Sequence, residues 1–344
     1  MKDYIMEDVM NNIEKKFDGI MHMISNTPLM EISFKYKGRA MKLYAKAEYY
    51  NLSGSIKDRV AFYILKKAYE KGAINPGDTI VEATSGNTGI AFSAMAAYLG
   101  HPMVVYMPDW MSEERIKIMQ SYGAEVRLVS HEDGGFLGSV AKSEKLAENS
   151  GVFLPGQFSN YDNVAAHTHD TGTETLRQLE QLGLRPDCVV AGVGTGGTIM
   201  GLAKAFKAVN PSCIARPLEP LNSPTLSTGF KTGSHRIAGI SDEFIPSICH
   251  LDELDEIVSV DDIDSVIMAQ KLARELGVGV GISSGANFIG AVMSLEKYGV
   301  GQCCVTVFAD DNKKYLSTDY AKCFEPKDEY VSSHIELTGM RVIR

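Results

Sequence analysis

No apolar run in this chain reaches the roughly 18 residues that a membrane-spanning helix needs. The N-terminus, MKDYIMEDVMNNIEKKFDG, lacks the uninterrupted apolar core of a signal peptide. It alternates charge with Met and Ile, and it reads as an amphipathic helix that docks on the body or on a partner subunit. Basic charge is scarce, with 34 Lys+Arg against 43 Asp+Glu and a net −9, which argues against a general nucleic-acid backbone binder. The six cysteines (Cys188, Cys213, Cys249, Cys303, Cys304 and Cys323) form no C-x-x-C pair. They read as free thiols in a reducing compartment, the cytoplasm. His167, His169 and Asp170 stand close together, but no second His/Cys cluster joins them, so no metal site is expected. Repeats and low-complexity segments are also missing.

What is present is an alternation of strand and helix. The 344 residues, 44% of them apolar, suffice for about two domains. Short runs at 42–49, 78–83, 103–108, 124–129, 188–193 and 303–309 read as strands. Helical patterns at 61–72, 89–100, 112–123 and 173–183 separate several of them, each ending in the Gly typical of a helix C-terminus. This is the pattern of α/β domains with mostly parallel sheets, whose ligands lie beyond the carboxyl ends of the strands. The residues from about Glu325 onward read as an appended strand or arm.

Three turns carry the chemistry. In NLSGSIKDRV (51–60), Ser53 or Ser55 is a candidate helix cap and Lys57 lies in the first helical turn. That lysine is either a solvated residue beside Asp58 or an amine with a lowered pKa, suited to a Schiff base. In EATSGNTGIAFSAMA (82–96), Thr84, Ser85, Asn87 and Thr88 cluster around Gly86 at a helix start, more polar groups than capping requires. Such a cup suits a carboxylate. The third turn, GVGTGGTIMG (192–201), matches G-x-G-x-x-G, and Glu219 stands about where a dinucleotide's ribose would find its acid. However, Thr195 and Thr198 flank Gly196 and Gly197, and the turn follows four α/β units. A terminal monophosphate fits these hydroxyls better than a bridging pyrophosphate does. A reactive lysine, a carboxylate cup and a monophosphate cup together describe a pyridoxal-phosphate site.

At this point the chain resembles the cysteine synthase/cystathionine β-synthase family, the tryptophan-synthase-like fold type II of pyridoxal-phosphate enzymes. The matching segments are SIKDR around Lys57, TSGNTG (84–89), PGQFSN (155–160), GVGTGGT (192–198), LEPLNSPTLS (218–227), GISSGA (281–286) and YLST (315–318). They run in family order from about residue 25 to 320. The resemblance implies two α/β domains, each with a mostly parallel sheet. A smaller mobile domain would span 51–165, and a larger phosphate-binding domain 25–50 plus 166–324. Residues 1–24 would be a helical extension and 325–344 an arm. Lys57 would hold the cofactor as a Schiff base and act as the base at Cα. Asn87 would bond the ring hydroxyl, and Gly194, Thr195, Gly196, Gly197 and Thr198 would cradle the phosphate. Thr84, Ser85, Gly86 and Thr88 would hold the substrate carboxylate with Gln157, and Gly239 would line the substrate. Closure of the smaller domain would exclude water from the reacting centre.

Two departures bear on the substrate. In FADDNKKYLST (308–318), Asp311 aligns with the Ser that faces the pyridine nitrogen in sulfhydrylases. It is either a partner that keeps that nitrogen protonated or, with Asp310, a solvated turn. In GISDEFIP (239–246), Asp242 replaces a small residue. It is either a surface acid on a loop or a group that would protonate a leaving thiolate or activate water, as in the sulfide-releasing cysteine lyase branch. The implied reaction is β-replacement through an α-aminoacrylate. O-acetyl-L-serine plus sulfide giving L-cysteine comes first, and the alternative is a cysteine lyase forming serine or lanthionine. The implied assembly is a homodimer. A nicotinamide-dependent dehydrogenase stands as the remote alternative.

Overall fold

The computed structural model describes the backbone of every residue except Met1, Asp242 and Val300, and the side chains from Asn11 onward with the same two internal exceptions. Along the chain come α1 (Lys2–Ile20), β1 (Leu29–Tyr36), β2 (Arg39–Ala47), α2 (Lys57–Glu70), β3 (Thr79–Ala83), α3 (Asn87–Leu99) and β4 (Met103–Pro108). Next are α4 (Glu113–Ser121), β5 (Glu125–Val129), α5 (Gly135–Ala147), β6 (Val152–Phe153), α6 (Asp162–Ala166), a π turn (His167–Gly172) and α7 (Thr173–Glu180). The remainder holds β7 (Cys188–Gly192), α8 (Gly197–Val209), β8 (Ile214–Pro220), α9 (Thr225–Thr228), β9 (Val258–Val260), α10 (Asp262–Leu276), α11 (Ile282–Tyr298), β10 (Cys304–Phe308) and β11 (Ile335–Ile343).

The chain divides into two compact units. The smaller holds 1–26, 51–53 and 57–156; the larger holds 27–50, 54–56 and 157–344. In the smaller unit an all-parallel sheet has the order β5-β4-β3-β6. Its helix α3 is apolar around its whole circumference, so Thr88 through Ala96 and Leu99 are all buried. The N-terminal helix packs here through Ile13, Phe17 and Ile20, with Phe17 edge-on to Phe62 and Tyr69. Lys16 donates to the Leu99 carbonyl (3.1 Å), supplying a cation at the C-terminus of α3. The predicted helix-ending glycines Gly72, Gly100, Gly123 and Gly183 all adopt positive φ.

In the larger unit a seven-stranded sheet has the order β11-β1-β2-β10-β7-β8-β9. The β2-β10-β7-β8-β9 part is parallel, whereas β11, β1 and β2 pair antiparallel. The C-terminal arm is therefore an edge strand of this sheet. Apolar clusters cover both faces, which explains why β7 and β10 read as continuous apolar runs. All six cysteines are free, and all but Cys323 are buried. Burial pushes the Cys213 thiol up to about 12 and that of Cys249 to about 11, so both stay protonated.

Candidate active site

The segment around Lys57 is held at two levels. Asp58 is buried near the start of α2, and its carboxylate accepts from the Ser53 backbone N–H (2.9 Å) and hydroxyl (2.6 Å). An acid in the first turn complements the helix dipole and fixes the chain entering it. The intervening residues 54–56 belong to the larger unit. There Ile56 N–H donates to the Ala309 carbonyl (2.8 Å), Ser55 forms a bridge with Asp310, and Lys314 donates to the Gly54 carbonyl (3.1 Å). Ser55 is thus a sheet-like partner of Asp310, and the capping interaction falls to Ser53 through Asp58.

The solvated-turn reading of Asp310 and Asp311 fails for the first of the pair. Asp310 is completely buried and accepts a short hydrogen bond from the Tyr315 hydroxyl. Asp311 is partly exposed, accepts from Lys313 N–H (3.1 Å), and has its second oxygen 3.5 Å from where a Cβ on Gly54 would sit. That brings Asp311 beside the chain leading to Lys57.

In the smaller unit the turn 84–88 joins β3 to α3. Thr84 and Thr88 are buried, and the Thr84 hydroxyl accepts from Gly86 N–H (3.0 Å). The N-cap of α3 is Gly86, which has no side chain to cap with, and no acid lies in its first turn, so its dipole end favours an anion. The second cup, in the larger unit, is similar: α8 begins at Gly197, its N-cap is Gly196 and its first turn carries no acid, while Gly197 N–H donates to the Thr195 hydroxyl (3.4 Å). Its glycines are enforced by close approach. A Cβ on Gly194 would fall 2.4 Å from the Gly239 carbonyl oxygen, and one on Gly197 would fall 2.1 Å from Asn163 Oδ1. Gly196 has φ +86° and packs against Cys249. Thr195 Oγ1 accepts from Asn163 Nδ2 (2.9 Å), and the same amide donates to the Gln157 carbonyl (2.9 Å). Gln157, Gly239 and Gly194–Thr198 are therefore brought together, while Asp242 lies outside the described residues. Its neighbour Ser241 has φ +55° and is held by Val193 through its N–H (2.8 Å).

The motifs do not mark Asn163 or the role of His167. The first follows PGQFSN closely, a signal that was available. His167, buried in the π turn, contacts the hydroxyls of Thr171 (3.0 Å) and Thr198 (3.3 Å), so it supports the second cup from behind. Glu219 is no ribose ligand. It is fully buried and accepts from Leu226 N–H (2.8 Å), Ser227 N–H (3.2 Å), the Ser227 hydroxyl and the Ser259 hydroxyl (3.1 Å). Its acceptor capacity is taken up by the protein.

The family model described as pyridoxal-phosphate dependent enzyme matches residues 20–310. The chain belongs to this family. Cysteine synthase of Staphylococcus aureus is 39% identical over 305 residues, covering 89% of this chain and 97% of that protein. The structure of a hydrogen sulfide-producing enzyme from Fusobacterium nucleatum is 55% identical, with TM-score 0.94, covering 96% of this chain and 99% of that one. An Asp-to-Asn variant of that enzyme, in complex with an α-aminoacrylate intermediate, superimposes with TM-score 0.92 at 55% identity over 94% of this chain and 97% of that one. Cysteine synthase of Entamoeba histolytica is 33% identical, with TM-score 0.82, covering 91% and 94%.

As a member of this pyridoxal-phosphate family, the protein uses that cofactor for β-replacement, and the dehydrogenase alternative is overturned. The second cup fits the cofactor's phosphate. It combines a glycine N-cap and an acid-free first turn with two threonine hydroxyls, and its glycines leave the backbone bare.

Proposed function

We propose that this enzyme starts from L-cysteine, releases hydrogen sulfide, and adds water or a second thiol at Cβ. The single observation carrying this reading is the 55% identity, over nearly the whole chain, to an enzyme described as hydrogen sulfide-producing. Asp242 in GISDEF, where a small residue stands in sulfhydrylases, agrees with it. This reverses the order in which the two substrate pairs stood on motifs alone.

Bound pyridoxal phosphate supplies an electron sink for negative charge at Cα. The chain's own residues do the rest. The start of α8, with Gly194, Thr195, Gly196, Gly197 and Thr198, holds the phosphate. Asn87 would donate to the ring hydroxyl, and Asp311 would be the acceptor that keeps the ring nitrogen protonated. Thr84, Ser85, Gly86 and Thr88, with Gln157, hold the α-carboxylate, and Gly239 lines the substrate. Lys57, the covalent anchor, moves the proton at Cα. Asp242 gives a proton to the departing sulfur and then takes one from the nucleophile that adds at Cβ, which is general acid and then general base at one carboxyl. The enzyme acts in the cytoplasm as a homodimer, which sedimentation of the holoenzyme checks.

The test is to incubate the holoenzyme with L-cysteine alone and assay sulfide, beside an arm with O-acetyl-L-serine and sulfide. Sulfide release from cysteine, lowered about 10²-fold or more in Asp242→Asn, is expected. No release, or release undiminished in that variant, removes the lyase role.

A further inference from the structure

Within the smaller unit, one helix reaches the carboxylate-binding turn with two side chains. Arg115 and Met119 lie one turn apart on α4 and so share a face. Both are buried although α4 is otherwise mostly polar, with Arg115 only 7% exposed and Met119 fully covered. Arg115 Nη1 donates to the Ser85 carbonyl (3.4 Å), and a Cβ on Gly86 would fall 2.9 Å from both its Cδ and Nε. Met119 Sδ would lie 2.6 Å from a Cβ on Gly89. The peptide joining Ser85 to Gly86 is consequently held at both ends, its oxygen by Arg115 and its N–H by the Thr84 hydroxyl (3.0 Å).

We propose that Arg115 is a positioning residue for recognition of the substrate carboxylate, with α4 bracing the turn 84–89 through Arg115 and Met119. This rests on the reading of residues 84–88 as the carboxylate cup. The guanidinium sets the plane of the 85–86 peptide, and that plane decides where the Ser85 hydroxyl and the first amides of α3 point. Its charge also lies behind a cup that takes an anion, in a buried setting where screening is weak. The interaction is directional, because an ammonium on a flexible stem cannot pack along Gly86 and reach the Ser85 oxygen with a planar donor set.

Absorbance titration of the holoenzyme tests this with two ligands: L-alanine, which keeps the carboxylate but has no β-leaving group, and L-alaninamide, which lacks the carboxylate. Arg115→Gln should weaken L-alanine by about tenfold or more and leave L-alaninamide within about twofold, with Arg115→Lys intermediate. Equal weakening of both ligands would overturn the proposal, since a general scaffold residue gives that result. Unchanged alanine affinity in the Arg115 variants, with Ser85→Ala weakening it tenfold, would also overturn it while leaving the cup intact. If Ser85→Ala and both Arg115 variants all bind alanine normally, the carboxylate reading fails and takes the proposal with it. Should Arg115→Gln not fold, Arg115→Lys carries the same alanine-against-alaninamide comparison.

Discussion

The two anion cups make the same local offer and are closed in different ways. Each is a glycine- and hydroxyl-bearing turn between a parallel strand and a helix whose N-cap is glycine and whose first turn carries no acid. At Gly194 the obstacle to any side chain is the backbone carbonyl of Gly239, which no rotamer change removes. At Gly86 it is the Arg115 side chain, which has rotamers to use. In the 192–198 turn main chain closes Gly194, while Gly196 and Gly197 meet the Cys249 and Asn163 side chains. In the 84–88 turn and the start of α3, Gly86 and Gly89 meet side chains only.

That contrast can be broken by substitution. Lys57→Ala should have the largest effect, a loss of at least about 10³-fold in turnover, because neither cup carries the nucleophilic amine. Borohydride reduction followed by peptide mapping should place the cofactor on Lys57 in the wild type; attachment to another lysine in the variant would overturn that role. Gly194→Ala comes next. With a backbone oxygen 2.4 Å from the added carbon, it should cost about 1–3 kcal/mol or more and show as weakened cofactor retention in dialysis. Gly86→Ala should be milder, raising KM for the amino acid up to about tenfold with cofactor content unchanged. Equal cofactor loss from both glycine variants would erase the distinction between the cups.

The smallest expected effect concerns pH and the smaller unit. His101 is buried, its Nδ1–H donating to the Asp78 carbonyl (2.8 Å) and its Nε2 accepting from the Tyr69 hydroxyl (2.7 Å). Burial holds it below its ordinary value of 6.5, as it does His235 in the larger unit. The unfolded chain therefore takes up a proton that the folded chain refuses. The stability that these two histidines contribute is complete above pH 6.5 and is lost as pH drops through the window below it. His101→Gln should flatten part of that slope in thermal melts between about pH 5 and 7. The His235 share remains, so an unchanged slope would exclude His101 as a contributor.

Much of the fold was legible because parallel strands buried on both faces announce themselves as apolar runs. The strand 103–108 was placed with its observed limits, and several others fell within a residue or two. The strand expected at 42–49 is observed at 39–47, since Glu48 begins a 3-10 turn that local composition does not mark. β1 escaped notice. Its partners are β2 nearby and β11 some three hundred residues away, a pairing that no local pattern carries. In the site, the motifs pointed to the residues that would touch ligand. They did not point to Asn163, His167 or Arg115, which act on those residues from other elements. Arg115 in particular sits in a charged helix, SEERIKIMQSYG, and reads there as a surface residue.

By itself, the sequence determined where glycine- and hydroxyl-rich turns lead into helices and which lysine stands at a helix start. Those are local matters of glycine, hydroxyl spacing and chain direction. Only the tertiary structure decided what lies behind each turn: the Gly239 carbonyl at one and the Arg115 guanidinium at the other. Close approaches between residues that are dozens of positions apart depend on how the helices and loops pack, and no spacing within a motif encodes them.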